Sequence, residues 1–122
     1  MLNLMIVDDS NIIRSKIQRA CDSKRFDVVA VARDGREALT LAHNCKPDVV
    51  TMDLTMPNLD GIGCISALSK MLPEVLILVV SALSDEATGI EALERGASGF
   101  LLKPFSEAQL RDALDALTDH LG

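Results

Sequence analysis

Five short apolar runs punctuate the chain, at residues 4–7, 28–32, 49–52, 75–80 and 100–102. They are rich in Val, Ile and Leu and nearly continuous rather than alternating. Strands buried on both faces have this pattern, as in parallel sheets covered by helices. Helical periods lie between them. Ile13, Ile17, Ala20 and Cys21 share one face of a first helix. Asp34 and Glu37 have capping-box spacing and open a second, whose apolar face is Ala38, Leu41, Ala42 and Cys45. A third follows Gly61, with Ile65, Leu68 and Leu72 inward. A fourth is expected after Ser84, ending near Gly96, and Gly89 within it weakens it by about 1 kcal/mol relative to Ala. The fifth opens at Ser106, again with capping-box spacing to Gln109, and carries a stripe of Leu110, Ala113, Leu114, Leu117 and Leu121.

The order is five strand–helix units with short connections and no repeat or low-complexity tract. It predicts one domain over residues 1–122, a doubly wound (βα)5 α/β sandwich. In such sheets ligands bind outside the carboxyl ends of the strands, where strand order reverses.

Composition removes several classes. There is no Trp or Tyr and only three Phe among 122 residues, so no aromatic platform for nucleic-acid bases exists. The net charge of −6 would repel a phosphate backbone, which argues against direct nucleic-acid binding. No apolar run reaches membrane-spanning length, and no basic segment followed by an apolar stretch opens the chain. Membrane insertion is not expected. The cysteines Cys21, Cys45 and Cys64 are scattered, with no CxxC pair, and suit reduced, mostly buried thiols in the cytoplasm. His43 and His120 are isolated and suit solvated helix faces.

The polar residues at the predicted strand ends carry the chemistry. Asp8 and Asp9 follow the first strand, Asp53 the third, Ser81 the fourth, and Lys103 with Pro104 the fifth. Singly, each is an ordinary loop or capping residue; the fold brings all of them to one edge. Three carboxylates in one crevice repel unless a cation neutralises them. An all-oxygen donor set without His or Cys suits Mg²⁺. A carboxylate beside such a cation can act as a nucleophile toward phosphorus. A Lys ammonium and a hydroxyl donor complete what phosphoryl transfer needs, which is positioning and charge neutralisation.

The segments Val7-Asp8-Asp9-Ser10, Met52-Asp53-Leu54-Thr55-Met56-Pro57-Asn58-Leu59-Asp60-Gly61, Val80-Ser81-Ala82 and Gly96-Ala97-Ser98-Gly99-Phe100-Leu101-Leu102-Lys103-Pro104-Phe105 resemble a response-regulator receiver domain of the single-domain chemotaxis (CheY-like) type. The resemblance runs through the whole chain and implies the flavodoxin-like form of the fold, a five-stranded parallel sheet in order 2-1-3-4-5. It implies a two-component signalling switch rather than an enzyme proper, phosphorylated at Asp53 with Mg²⁺ as cofactor. Asp9 would bind the metal directly, Asp8 mainly through water, and the Thr55 backbone carbonyl would be another ligand. Ser81 would donate its hydroxyl to the phosphoryl group and Lys103 would pair with it. The Lys103–Pro104 peptide would be cis. Phe100 stands where the family carries its switch aromatic, commonly Tyr, and without a hydroxyl it leaves a steric switch only. Thr55 and Leu83 flank the site without an acid or amide to orient water, which implies slow self-dephosphorylation. The implied partners are a sensor histidine kinase or phosphotransfer domain, and a downstream target on the face of the fourth helix, fifth strand and fifth helix. The pathway would be chemotaxis and the flagellar motor or similar, with a phosphorelay receiver or a fragment of a larger regulator as the alternative.

Charge is unevenly spread. Residues 14–25 hold five bases (Arg14, Lys16, Arg19, Lys24, Arg25) against Asp22, and from Ser84 onward eight acids oppose three bases. With the docking sides that the resemblance implies, an acidic-rimmed donor would meet the first helix and a basic target the opposite side; the alternative is that both runs are solvated helix faces. Other functions fit less well. A Mg²⁺-dependent aspartyl-phosphate phosphohydrolase would need an acid where Thr55 stands. A flavin module would not place Asp8-Asp9-Ser10-Asn11 against an FMN phosphate. A receiver that no longer takes phosphate would be expected to lack part of the set Asp8, Asp9, Asp53, Ser81 and Lys103.

Overall fold

The computed structural model describes residues 1–21, 23–56 and 58–119. Asp22, Pro57, His120 and Leu121 of the sequence reading lie outside the described residues. Strands β1 (Leu2–Val7), β2 (Phe26–Ala32), β3 (Val49–Met52), β4 (Leu76–Ser81) and β5 (Gly99–Leu102) alternate with helices α1 (Asn11–Ala20), α2 (Gly35–Cys45), α3 (Gly61–Met71), α4 (Glu86–Arg95) and α5 (Glu107–Thr118). All pairings are parallel, in the order β2-β1-β3-β4-β5. The expected doubly wound sandwich is therefore the observed one.

The strand pattern follows from burial on both faces. Leu4, Ile6, Val49, Leu78 and Val80 point to one layer, where they meet Ile17 and Ala20 of α1 and Leu110 and Leu114 of α5. Met5, Val7, Val50, Met52, Ile77 and Val79 point to the other, against Ala38 and Ala42 of α2, Ile65 and Leu68 of α3, and Ala92 of α4. Each strand residue thus alternates between two cores. Thr51 is the polar exception in this interior. It is fully buried, level with Ile6 and Leu78, and its hydroxyl has no partner among the described residues.

Helix starts follow their caps. Asp34 accepts from the Glu37 N–H, but the Glu37 carboxylate reaches back to the Arg33 N–H, one residue before the cap. Ser106 and Gln109 form the complete reciprocal box. α4 is capped by Asp85, whose carboxylate takes the Thr88 N–H and hydroxyl. β1 and β2 start earlier than their apolar runs, since Leu2 pairs with Phe26 and the Leu2 N–H bonds the Arg25 carbonyl. Gly96 ends α4 with φ 126°, and a Cβ there would stand 2.0 Å from Ser69 Oγ, so both backbone and space require glycine.

Cys64 is buried, and Cys21 and Cys45 are half-buried. Burial pushes the Cys21 thiol up to about 11 and Cys64 up to about 12, so both stay protonated near neutrality. His43 is exposed on α2.

Candidate functional site

Parallel register places the functional side chains. Val7 is level with Ala32 on one side and Met52 on the other, and Met52 with Val79. Ser81 is level with Leu102. Asp8, Asp53, Ser81 and Lys103 therefore emerge at one edge of the sheet. Strand order reverses between β1 and β3, the two strands that carry the acids.

The carboxylates of Asp8, Asp9 and Asp53 each bring an oxygen to within 4.8 Å of the others. Asp8 and Asp53 are buried, and Asp9 is exposed. One Asp8 oxygen accepts the Ser10 N–H at 2.9 Å, and the other meets Lys103 Nζ at 2.8 Å. The same ammonium stands 3.6 Å from Asp53 Oδ1. Asp53 Oδ1 also takes a long bond, 3.4 Å, from the Thr55 N–H. Burial first, and then the neighbouring Asp8 charge, raise the Asp53 carboxyl to about 6, with Lys103 opposing the rise. Among the described residues Lys103 is the one cation paired with these carboxylates, which leaves negative charge in excess. A hard divalent cation fits this deficit and this all-oxygen donor set.

Gly61 sets how closely α3 approaches the acceptor. A Cβ at this position would stand 2.3 Å from the Asp53 carbonyl oxygen, so any side chain there would displace the end of β3. The Asp60 carboxylate caps the same helix from the Gly63 N–H.

Ser81 is buried at the end of β4, where its Oγ accepts the Leu83 N–H at 3.0 Å. Its hydroxyl proton remains available to donate. Thr55 is exposed beside Asp53, and Leu83 is also exposed. The Lys103–Pro104 peptide is cis. Phe100 is half-buried on β5, packed against the core beneath α2, α3 and α4, and lines the groove between β5 and α4.

Of the five bases over residues 14–25, Arg19 and Lys24 are exposed, whereas Arg14, Lys16 and Arg25 are half-buried and bonded to neighbouring segments. Arg14 donates to the Asp8 carbonyl at 2.7 Å and also contacts Asn11. Lys16 donates to the Phe105 carbonyl and lies 4.5 Å from the centre of its ring. Arg25 binds the Thr118 carbonyl and hydroxyl and approaches Asp115 at 4.0 Å. Arg14 and Lys16 therefore brace the two loops that carry Asp8 and Lys103. Only their place in the first turns of the helix after Asp9 could have signalled this.

The described residues thus form a five-stranded parallel α/β fold with three carboxylates and a lysine at its switch point. The family model for the response regulator receiver domain matches residues 4–115, and the chain belongs to that family. It is 35% identical to the chemotaxis protein CheY of Listeria monocytogenes over 115 residues, covering 94% of this chain and 97% of that protein. It is 37% identical over 123 residues to the transcriptional regulatory protein LnrK of Bacillus subtilis, covering all of this chain but 55% of that one. Its fold matches the crystal structure of a CheX–CheY–BeF3–Mg²⁺ complex from Borrelia burgdorferi with a TM-score of 0.90 and 32% identity, covering 94% of this chain and 87% of that one. Among the described residues, no helix is long and apolar enough to cross a membrane.

Proposed function

We propose that residues 1–122 form one receiver that accepts a phosphoryl group on Asp53 and acts as a switch in two-component signalling. The observation that carries this is the approach of Asp8, Asp9 and Asp53 to within 4.8 Å, with Lys103 reaching both buried acids. Asp53 and Asp9 would hold Mg²⁺ directly, Asp8 mainly through water, and the Thr55 carbonyl would add a ligand. The bound metal neutralises charge on the transferring group. A carboxylate oxygen of Asp53 attacks phosphorus as the donor's P–N or P–O bond breaks, and the leaving group departs with the bonding electrons. Lys103 exchanges part of its pairing with Asp8 and Asp53 for the new phosphoryl oxygens. Ser81 turns its hydroxyl from the Leu83 loop to the same group, and Phe100 moves with that loop against α4.

The donor is a sensor histidine kinase or phosphotransfer domain, and the target binds the α4–β5–α5 face. The similarity to CheY proteins over nearly their full length supports chemotaxis as the pathway and the cytoplasm as the location. Full coverage of this chain by half of LnrK supports the other reading, the receiver of a larger regulator. Intact-mass spectrometry after incubation with acetyl phosphate tests the core of the proposal. A Mg²⁺-dependent phosphoryl adduct is expected, absent in Asp53→Asn. Equal labelling of the variant would refute Asp53 as the acceptor.

A further inference from the structure

β3 and α3 are joined by residues 53–60, which include Thr55. The ends of this connection are fixed. The Asp53 N–H bonds the Val7 carbonyl at 2.9 Å, and the Gly61 N–H bonds the Leu54 carbonyl at 3.1 Å. Its outer part is held from another element, the start of α2. Asn58 Nδ2 donates to Asp34 Oδ2 at 3.0 Å. The Asp34 Oδ1 accepts the Glu37 N–H at 2.9 Å and caps α2. One carboxylate thus ties a helix end to the β3–α3 loop.

Other features seat the loop at the same place. Asn58 adopts φ 70°, in the left-handed region, which Asn enters more easily than most residues. A Cβ on Gly35 would stand 2.3 Å from the Leu59 carbonyl oxygen, so the first residue of α2 lies directly against the loop backbone. The Cys64 thiol, near the start of α3, donates to the Gly35 carbonyl at 3.7 Å. Thr55 lies between the fixed end and this seat. It is exposed, and its N–H reaches Asp53 Oδ1 at 3.4 Å, long for an amide bond. The orientation of its peptide therefore depends on how the rest of the loop is held.

We propose that Asp34 and Asn58 are positioning residues for the cation site, their hydrogen bond letting α2 hold the β3–α3 loop with the Thr55 carbonyl turned toward the acids. The inference rests on the role proposed above for that carbonyl, and adds two residues outside the three-carboxylate cluster. Mg²⁺ tolerates little error in ligand placement, so slack in one oxygen lowers affinity even where every ligand is still present. The Asp34–Asn58 bond is exposed and adds little to global stability, so its loss should be felt at the metal first.

Asn58→Asp separates this brace from simple charge. It breaks the bond by setting two carboxylates against each other, yet it adds a negative charge on the loop beside the acids. Charge alone would tighten Mg²⁺ binding. The brace predicts the opposite, about fivefold weaker binding by calorimetric titration of the full chain. The exchange Asp34→Asn with Asn58→Asp restores one N–H···O bond with donor and acceptor swapped, at unchanged net charge. It should bring affinity back to within about twofold of wild type. Asp34→Ser is a second route, because a serine still caps α2 but is too short to reach Asn58, and it should weaken binding by a similar factor. Hydrogen–deuterium exchange in EDTA should be faster over the β3–α3 loop in both weakened variants and slowed again in the exchanged pair, while urea midpoints stay close to wild type. Binding by Asn58→Asp as tight as wild type, or tighter, would overturn the proposal. So would an exchanged pair no better than the single variant, or unchanged loop exchange where affinity falls. A loss of affinity matched by a lower urea midpoint would mean general destabilisation, and would overturn it as well. If wild type binds Mg²⁺ and takes the phosphoryl group while the variants match it, the brace fails and the receiver reading stands. If wild type does neither, the receiver reading fails and the brace with it.

Discussion

At Thr51 a hydroxyl is enclosed between Ile6 and Leu78 with no hydrogen-bond partner among the described residues. Burying such a group unpaired costs roughly 1–3 kcal/mol. Val has nearly the same shape, so Thr51→Val should stabilise the protein by about 1 kcal/mol or more, read as a higher denaturant midpoint at unchanged slope. No gain would mean that the hydroxyl is satisfied, by an internal water for example. Asp53 is strained for a different reason, because its carboxyl is held up at about 6 by burial and by Asp8. With the folded value above the unfolded one, the native state binds the extra proton. Stability from this group is complete below about pH 4 and is lost as pH rises through about 6. Without divalent cation, Asp53→Asn should therefore be more stable than wild type above pH 6. Its advantage should grow by about 1.5 kcal/mol between about pH 5 and pH 8. Urea unfolding of both proteins in EDTA at the two pH values measures this; a difference that shrinks with rising pH would reverse the sign argued here.

Among the elements, α4 and α1 are tied to the sheet in opposite ways. α4 offers one buried residue, and a methyl group added at Gly89 would meet nothing within 4 Å. Gly89→Ala should therefore stabilise the helix by about 1 kcal/mol without a clash, visible as a raised thermal midpoint. α1 is instead fastened to the site through long cationic side chains, Arg14 to the Asp8 carbonyl and Lys16 to the Phe105 carbonyl and ring. Lys16→Met should slow acetyl-phosphate labelling, by up to about tenfold, through displacement of the Lys103 loop. Mg²⁺ affinity should change little, because Lys16 touches none of the three acids. Stopped-flow labelling beside a Mg²⁺ titration separates the two effects; equal loss of both would mean general loosening of α1. These two helices also show what was legible beforehand. The strands could be read because two-sided burial writes continuous apolar runs, and the acids, serine and lysine could be placed because parallel topology sends every strand end to one edge. Ser84 and Asp85 are both good caps, and only geometry shows that the Asp85 carboxylate, on the Thr88 N–H, starts α4. The inward turn of Arg14, Lys16 and Arg25 was hidden for another reason. Helical periodicity fixes where a Cα lies, whereas a long side chain can lay its stem along the surface and put its charge elsewhere. The burial of Thr51 followed from the strand assignment, but its missing partner did not.

Over the whole molecule, folding gathers negative charge at one end of the sheet and, among the described residues, pairs it with a single ammonium. A chain of net charge −6 brings three carboxylates to within 4.8 Å of one another, two of them buried. Such an arrangement sacrifices stability for function, and a ligand that binds only the folded state returns it. Lys103 has two opposed effects in this balance. It lowers the repulsion among the acids, and it occupies Asp8 at 2.8 Å, beside the acids that would hold a cation. Coulomb repulsion between an ammonium and a divalent ion at such short range outweighs the small gain from a better-ordered Asp8, which the Ser10 N–H and the Asp8 backbone brace from Arg14 already fix. Lys103→Met should therefore bind Mg²⁺ several-fold more tightly than wild type, while its free form is less stable and its labelling by acetyl phosphate is strongly reduced. Calorimetric titration with Mg²⁺ and thermal melts with and without the metal measure each part. Tighter metal binding joined to lost labelling would assign Lys103 to the phosphoryl group. Weaker binding would mean instead that its main role is to hold Asp8 in place for the metal.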